Sequence, residues 1–265
     1  MITKKIALIG AGNLGYSIVQ GLLSKQAIPA ENLFLSDISE ERISFLRKEG
    51  YQASNDNVYT VKKSDWIILA VKPWQFDTVV REIGQELVNS GKILISCITG
   101  ISSETIHEVI GKKVTLVLAM PNTGMSVGES MTALVPVNLR KDEILAVNEL
   151  FSFLGRVEII EEKMLPAATA LGGCGIGFAL RFIRAAMEAG VEIGFNAHQA
   201  RTMAAQIAKG AAELVLNSGN HPEVEIDKVT TPGGITITGL NELEHNGFSS
   251  SIIKGIMSSF KKVSE

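Results

Sequence analysis

Two stretches of this chain combine residue types in patterns that do chemistry rather than packing. Toward the C-terminus runs Asp227-Lys228-Val229-Thr230-Thr231-Pro232-Gly233-Gly234-Ile235-Thr236. It is too polar, too rich in glycine and too broken by proline for a core element, and it lies between two helical patterns. Pro-Gly-Gly by itself is common interhelical turn chemistry. With threonines on both sides, a tight turn presents backbone N–H groups and hydroxyls in one concave patch, which suits a small carboxylate. Near the N-terminus, Gly10-Ala11-Gly12-Asn13-Leu14-Gly15 matches G-x-G-x-x-G. An apolar strand run precedes it and a helical pattern follows, the context that a dinucleotide needs. Gly10 permits the tight turn, Gly12 lets backbone approach a pyrophosphate, and Gly15 lets helix and strand pack. The helix N-terminus at Asn13 and Leu14 then faces the phosphates.

Other candidates sit at the ends of strand patterns. Asp37 follows the second strand, about 20 residues after the last glycine, where an acid holds the ribose 2′-OH of NAD and repels the 2′-phosphate of NADP. The alternative is that Asp37 caps the helix starting near Ser39. Arg42, one turn further on, is a possible phosphate ligand. The residues favour NADH and leave NADPH open. Ala70-Val71-Lys72-Pro73 ends a later strand, and such strand ends line the cofactor crevice. Pro73 halts the strand and starts the next helix, while Lys72 is either a catalytic acid or a rim residue. Met120-Pro121-Asn122-Thr123-Gly124 follows another strand end. Packing does not explain its turn residues, so contact with nicotinamide or substrate is expected.

The elements that must position these residues change character part-way along the chain. Ile6–Ile9, Leu33–Leu35, Trp66–Val71, Ile93–Ile95, Thr115–Leu118, Thr132–Val135 and Val157–Ile160 read as strands. Helical patterns lie between them over 14–23, 39–48, 75–88 and 141–154. Alternation on this scale predicts an α/β fold with a Rossmann-type doubly wound sheet. After Glu161 only helical patterns follow, over 176–193, 196–216, up to about 244, and 249–263. The expected division is a dinucleotide-binding domain over 1–160 and an all-α domain over 161–265. Asn196 is the expected N-cap of the second of these helices. Its apolar stripe is wider than one small helical domain covers, which predicts an oligomer.

The 265 residues carry a net charge of −3, which gives no electrostatic reason to expect nucleic acid or an anionic membrane as partner. No run approaches the ~18 uninterrupted apolar residues of a membrane span. Two cysteines, Cys97 and Cys174, suit a reducing compartment rather than a disulfide scaffold, and a cytoplasmic location is expected. Cys174 lies among glycines, but Ile176 breaks the G-x-C-x-G of a nucleophile elbow. His107, His198, His221 and His245 have no metal-ligand spacing. Neither a metal site nor a catalytic triad is expected.

Taken in order along almost the whole chain, the motifs resemble pyrroline-5-carboxylate reductases. The matching pieces are Ile9 to Gly15, Ala70 to Pro73, Met120-Pro121-Asn122-Thr123, Thr169-Ala170-Leu171, His221-Pro222, Val229 to Leu240, Leu243-Glu244 and Gly247-Phe248. The glycine fingerprint is generic, whereas Met-Pro-Asn-Thr and the Thr-Pro-Gly-Gly-x-Thr loop are far more specific. The resemblance implies reduction of L-1-pyrroline-5-carboxylate to L-proline by NADPH or NADH, the last step of proline synthesis. It also implies a homodimer through interlocking helical domains, with larger rings in some members. It places Asn57, Val71, Lys72 and Pro73 near the cofactor, and the strand-end reading adds Met120, Pro121 and Asn122 to them. It seats the substrate carboxylate on the turn at Gly233, Gly234, Ile235 and Thr236, where the N–H groups of Gly234, Ile235 and Thr236 would bind it and Thr231 and Thr236 would add hydroxyls. The Thr236 hydroxyl would point at the ring nitrogen.

The chain departs from that family at three places. Leu118 stands where the family usually has arginine, Gly124 stands where many members have proline, and Gly172-Gly173-Cys174-Gly175-Ile176-Gly177-Phe178 replaces a Ser-Gly-Ser-Gly-Pro-Ala-Tyr segment. The third departure removes two hydroxyls and a phenol at a helix start near the site, which bears on substrate identity. Two other readings compete. A β-hydroxyacid dehydrogenase would match Gly172, Gly175 and Gly177, but Arg181 and Arg184 replace its lysine and asparagine. A non-catalytic nucleotide sensor would keep the fingerprint and lose the substrate loop, which here is intact.

Overall fold

The structure, a computed structural model, describes residues 2–88 and 90–264. The chain divides into a first compact unit, running to Gly173 and joined by a short piece from Phe260, and a second, Cys174–Ser259.

In the first unit β1 (Ile6–Ile9) leads into α1 (Asn13–Ser24), β2 (Leu33–Ser36) into α2 (Glu40–Lys48), and β3 (Gln52–Ser54) into α3 (Asn57–Lys62). Then β4 (Trp66–Leu69) leads through a 3-10 turn (Pro73–Gln75) into α4 (Phe76–Leu87), and β5 (Ile93–Ser96) into α5 (Ser103–Ile110). β6 (Leu116–Met120), a 3-10 turn (Thr123–Val127), β7 (Ser130–Val137), α6 (Lys141–Ser152) and β8 (Gly155–Ile159) complete the sheet. The strand order is β3-β2-β1-β4-β5-β6-β7-β8, parallel throughout except for the antiparallel pair β6–β7. The order reverses direction between β1 and β4, so a crevice opens at their C-terminal ends, where ligands of such sheets bind.

Alternate strand residues feed two apolar layers. Ile6, Leu8, Leu35, Ile68 and Ile95 face Ile18, Leu22, Leu150 and Phe151 on one side. Ala7, Ile9, Ile67, Leu69 and Leu94 face Val61, Phe76, Val80, Ile83 and Ile106 on the other. Helices on both faces explain why the central strands are continuous apolar runs rather than alternating ones. Ser39 Oγ accepts from Arg42 N at 3.2 Å to start α2, and Ser102 Oγ accepts from Thr105 N at 3.1 Å to start α5.

Several elements were not legible in advance. The β3 strand is a three-residue polar edge strand, α3 is six residues long, and α5 is an eight-residue helix that follows Gly100 and Ser102. The strand expected over Trp66–Val71 stops at Leu69, although Ala70 N still donates to Ile9 O at 2.8 Å. The first unit also continues past the expected division at 160. After α7 (Leu165–Ala168) comes a π-helical turn (Thr169–Gly173) whose Thr169 and Ala170 are buried.

The second unit holds α8 (Gly175–Glu192), α9 (Ala197–Ser218), α10 (Pro222–Lys228), α11 (Ile235–His245) and most of α12 (Phe248–Ser264). Asn196 and Gln199 form a reciprocal capping box on α9. A Cβ on Gly190 would lie 3.0 Å from Ala200 Cβ, so α8 and α9 pack closely through small residues. Among the described residues of this unit, only Ala200 and Ala204 are buried. Large apolar side chains such as Leu180, Ile193, Ile207 and Leu214 are exposed, Ile193 by 76%.

Two glycine substitutions test this packing. A Cβ on Gly21 would run into Met125 O and Leu154 Cδ2, so Gly21→Ala is expected to destabilise by about 1–3 kcal/mol in chemical denaturation. A Cβ on Gly84 meets only Ile110, at 3.8 Å, so Gly84→Ala is expected to be neutral or to stabilise α4 by up to ~1 kcal/mol.

Candidate active site

The fingerprint turn occupies the reversal point of the sheet. Gly10 has φ +93, and a Cβ there would lie 2.8 Å from the Ala70 carbonyl and 2.9 Å from Val71 Cγ1. A Cβ on Gly15 would collide with Gly10 O. Gly12 is different: nothing lies within 4 Å of the position its Cβ would take, and no side chain caps α1. The first N–H groups of α1, at Asn13 and Leu14, therefore open onto free space beside a positive helix end. This arrangement fits a pyrophosphate.

Asp37 braces this turn. Its Oδ2 accepts from Ala11 N at 2.9 Å and its Oδ1 from Ser39 N at 3.0 Å. The helix-capping alternative is thereby corrected, because Ser39 is the cap of α2. A carboxylate has about four acceptor directions, so Asp37 keeps capacity for a ribose hydroxyl. Arg42 Nε donates to Ala11 O at 2.7 Å, and the guanidinium stacks 4.4 Å from the Tyr16 ring and 4.9 Å from that of Phe45. The Ala11 peptide is thus held at both ends.

Beside the turn lies a cleft of about 450 Å³, lined by Gly10, Asp37, Asn57, Val71, Trp74 and Glu82 among others. Ser36 Oγ donates to Asn57 Oδ1 at 2.6 Å, and Asn57 Nδ2 donates to Glu82 Oε2 at 2.8 Å. Asn57 and Val71, which the resemblance puts near a cofactor, both line this cleft. Trp74 and Glu82 were missed. The available signals were a tryptophan directly after Pro73 and the polar pair Thr78 and Glu82, one turn apart on α4. Lys72 is exposed at the start of the Pro73–Gln75 turn, with its backbone N–H on Gln75 Oε1 at 3.1 Å.

The turn after β6 is tied to the glycine segment that departs from the family pattern. Met120, Pro121 and Asn122 are all buried. Asn122 N donates to Ser130 Oγ at 3.1 Å, Asn122 Oδ1 accepts from Gly124 N at 2.9 Å, and Nδ2 donates to Gly172 O at 2.9 Å. The side chain of Asn122 is therefore a strap between two loops. A Cβ on Gly124 would lie 2.7 Å from Glu129 O, so glycine suits this turn. Leu118 sits in an apolar layer at 1% exposure, so an apolar side chain fits where an arginine was expected.

In the helical unit, Gly234 N donates to Thr231 O at 2.9 Å and closes a turn with Pro232 second and Gly233 third, at φ +70. Pro followed by a positive φ is the type II pattern. Gly234 is the N-cap of α11, and a Cβ on it would meet Thr231 Oγ1 at 2.5 Å. The expectation that the Gly234 N–H takes a carboxylate is corrected, since the turn uses it. No side chain caps α11, which leaves the N–H groups of Ile235 and Thr236 at an exposed helix start. Ile235 itself is 94% exposed.

Other reactive side chains do not assemble a competing site. Burial pushes the Cys97 thiol up to about 12, so it is inert, and Cys174 is half-buried. Arg184 pairs with Glu188 on an exposed helix face at 2.8 Å. No group of metal-ligating side chains occurs among the described residues.

Comparison with known proteins agrees with this geometry. Residues 162–265 match the model for pyrroline-5-carboxylate reductase dimerisation, and residues 5–100 match that for coenzyme F420-dependent NADP oxidoreductases. Pyrroline-5-carboxylate reductase 2 of Dictyostelium discoideum is 40% identical over 99% of this chain and 93% of its own length. The chain belongs to the pyrroline-5-carboxylate reductase family. Reductase 1 of the same organism is 42% identical over 97% of this chain, which spans 49% of that relative's length. A Plasmodium falciparum pyrroline carboxylate reductase with NADP bound superposes with a TM-score of 0.88 at 29% identity, covering 99% of this chain and 98% of that one. Pyrroline-5-carboxylate reductases are NAD(P)H-dependent oxidoreductases of the last step of proline biosynthesis. A 3-hydroxyisobutyrate dehydrogenase shares the fold alone, at 14% identity and a TM-score of 0.53.

Asn122→Ala is expected to lower stability by about 1–3 kcal/mol, because Gly124 N and Gly172 O lose a buried partner. Thermal denaturation of the variant checks this. Titration of the native protein with a thiol reagent is expected to leave Cys97 unmodified until the protein is unfolded.

Proposed function

We propose that this protein reduces L-1-pyrroline-5-carboxylate to L-proline with NADH or NADPH. The observation that carries the residue assignment is the uncapped, exposed N-terminus of α11 behind the Thr231-Pro232-Gly233-Gly234 turn, in a chain of this family that keeps the nucleotide fingerprint. A helix start with free N–H groups is suited to a carboxylate. Ile235 N, Thr236 N and the hydroxyls of Thr231 and Thr236 bind the substrate carboxylate, and Gly233 supplies the positive φ that lets the turn form.

The bound nicotinamide supplies the hydride. The substrate C=N bond is protonated readily near neutral pH and is then already electrophilic, so no strong protein acid is required. Hydride adds to the imine carbon, the C=N electron pair moves to nitrogen, and the nitrogen keeps the proton. Thr236 Oγ1 hydrogen-bonds this nitrogen rather than acting as the acid. Gly10, Gly12, Asn13, Leu14 and Gly15 hold the pyrophosphate, and Asp37 and Asn57 line the ribose side. Val71, Lys72 and Pro73 border the crevice, with Lys72 as a rim residue that positions rather than protonates. Met120, Pro121 and Asn122 fix the turn behind the reacting end. Orientation of this kind is worth about 7–11 kcal/mol of barrier.

The exposed apolar face of the helical unit supports assembly as a homodimer, on which a larger ring can build. By length and composition, the helical run Glu162–Glu192 is apolar enough to cross a bilayer, and 11% of its apolar window is buried. We assign that surface to a second copy of the chain, in line with the dimerisation model that covers it. The location proposed is the cytoplasm, with no nucleic-acid or membrane partner.

Purified protein mixed with pyrroline-5-carboxylate and NADH or NADPH is expected to oxidise the cofactor, followed by absorbance. No oxidation of either would sink the enzyme and favour a nucleotide sensor. Thr236→Ala is expected to lower kcat/KM for the imine at least tenfold, about 1.4 kcal/mol, with the cofactor KM little changed. Unchanged turnover and KM would remove Thr236 from the site. Light scattering without detergent is expected to give an even multiple of the 28.5 kDa protomer.

A further inference from the structure

Among the described residues, the charged groups that line the cleft beside the fingerprint are carboxylates without a cation. Asp37 and Glu82 are the ionisable side chains of that lining, beside Asn57 and Trp74. Both are fixed in place. Asp37 is anchored by Ala11 N and Ser39 N. Glu82 is held by Asn57 Nδ2, and Asn57 is held in turn by Ser36 Oγ.

We infer that Glu82 acts with Asp37 as a specificity determinant, so that the cleft selects NADH over NADPH. The inference rests on the proposed cofactor site and deepens it. A ribose diol offers O–H donors, and each carboxylate retains acceptor directions to receive them. A 2′-phosphate offers only acceptors and carries a charge of about −1.5 to −2 near pH 7. Placed in this cleft it meets two anions and no counter-charge, which disfavours it. Arg42 is the cation that could offset this. Its Nε is taken by Ala11 O, its guanidinium is stacked on Tyr16 and Phe45, and it does not line the cleft. Asp37 alone follows from its position after β2. Glu82 comes from α4 and lines the cleft itself, held there by Asn57.

Direct binding tests this, because the chain has two tryptophans in contrasting places. Trp74 lines the cleft and is 78% exposed, whereas Trp66 is 4% exposed in the core. Quenching of Trp74 fluorescence reports binding of NADH or NADPH, with Trp74→Phe as the control for assignment and calorimetry as an independent measure. NADH is expected to bind at least tenfold more tightly than NADPH at low salt, with the ratio narrowing toward ~0.5 M salt as the charges are screened. Glu82→Gln keeps an oxygen for Asn57 and removes the charge, and it is expected to shift the ratio toward NADPH several-fold. Asp37→Asn is expected to move it the same way. Equal or tighter NADPH binding by the unaltered protein overturns the inference while leaving the reductase reading intact. An unchanged ratio in folded Glu82→Gln removes Glu82 as a determinant. Binding of neither cofactor overturns both readings.

Discussion

The cofactor half of this protein depends on one close approach, that of the Gly10 backbone to the carbonyl of Ala70. The two residues follow the neighbouring parallel strands β1 and β4, whose connections leave in opposite directions along the sheet. No side chain fits between them, since a Cβ on Gly10 would lie 2.8 Å from Ala70 O. The positive φ of Gly10 then turns the chain so that α1 begins beside an open space. Moving these turns apart would remove the uncapped helix start, the seat of Asp37 on Ala11, and the cleft wall at Val71 together.

The polar groups around that turn are tied into one another before any ligand is considered. Asp37 and Arg42 hold the two ends of the Ala11 peptide, and the Asn57 amide joins β2 to α4 through Ser36 and Glu82. Asn122 does the same between the β6 turn and the π-helical turn at Thr169–Gly173. Such bonds fix a site before ligand arrives, so that binding orders few further groups. They also explain why substituting these residues is expected to disturb folding.

The two units differ in how they bury apolar surface. The sheet unit closes two apolar layers on itself. The helical unit leaves Leu180, Ile193, Ile207 and Leu214 in solvent and buries only Ala200 and Ala204 among its described residues. A fold of that kind is stable when another surface covers it, because exposed apolar area of this extent is costly in water. The family's dimerisation model coincides with that region. The helical run 162–192 is apolar as well, with 11% of its apolar window buried.

Local pattern determined a large share of this protein. Continuous apolar runs marked the central strands β1, β2, β4, β5 and β6, since burial on both faces leaves no room for alternation. The glycine spacing marked the nucleotide turn, because only glycine permits its backbone contacts. Asn196 marked the start of α9. Short and polar pieces such as β3 and α3 stayed hidden, because tertiary pairing rather than propensity holds them. The tertiary structure alone decided which groups remain free. It gave the helix cap to Ser39 rather than Asp37, and it used the Gly234 N–H in a turn. It also turned Asn122 into a strap and brought Glu82 of α4 into the cleft beside the glycine turn. Sequence spacing states what a residue can bond to, whereas only the folded chain shows which of its bonds are already made.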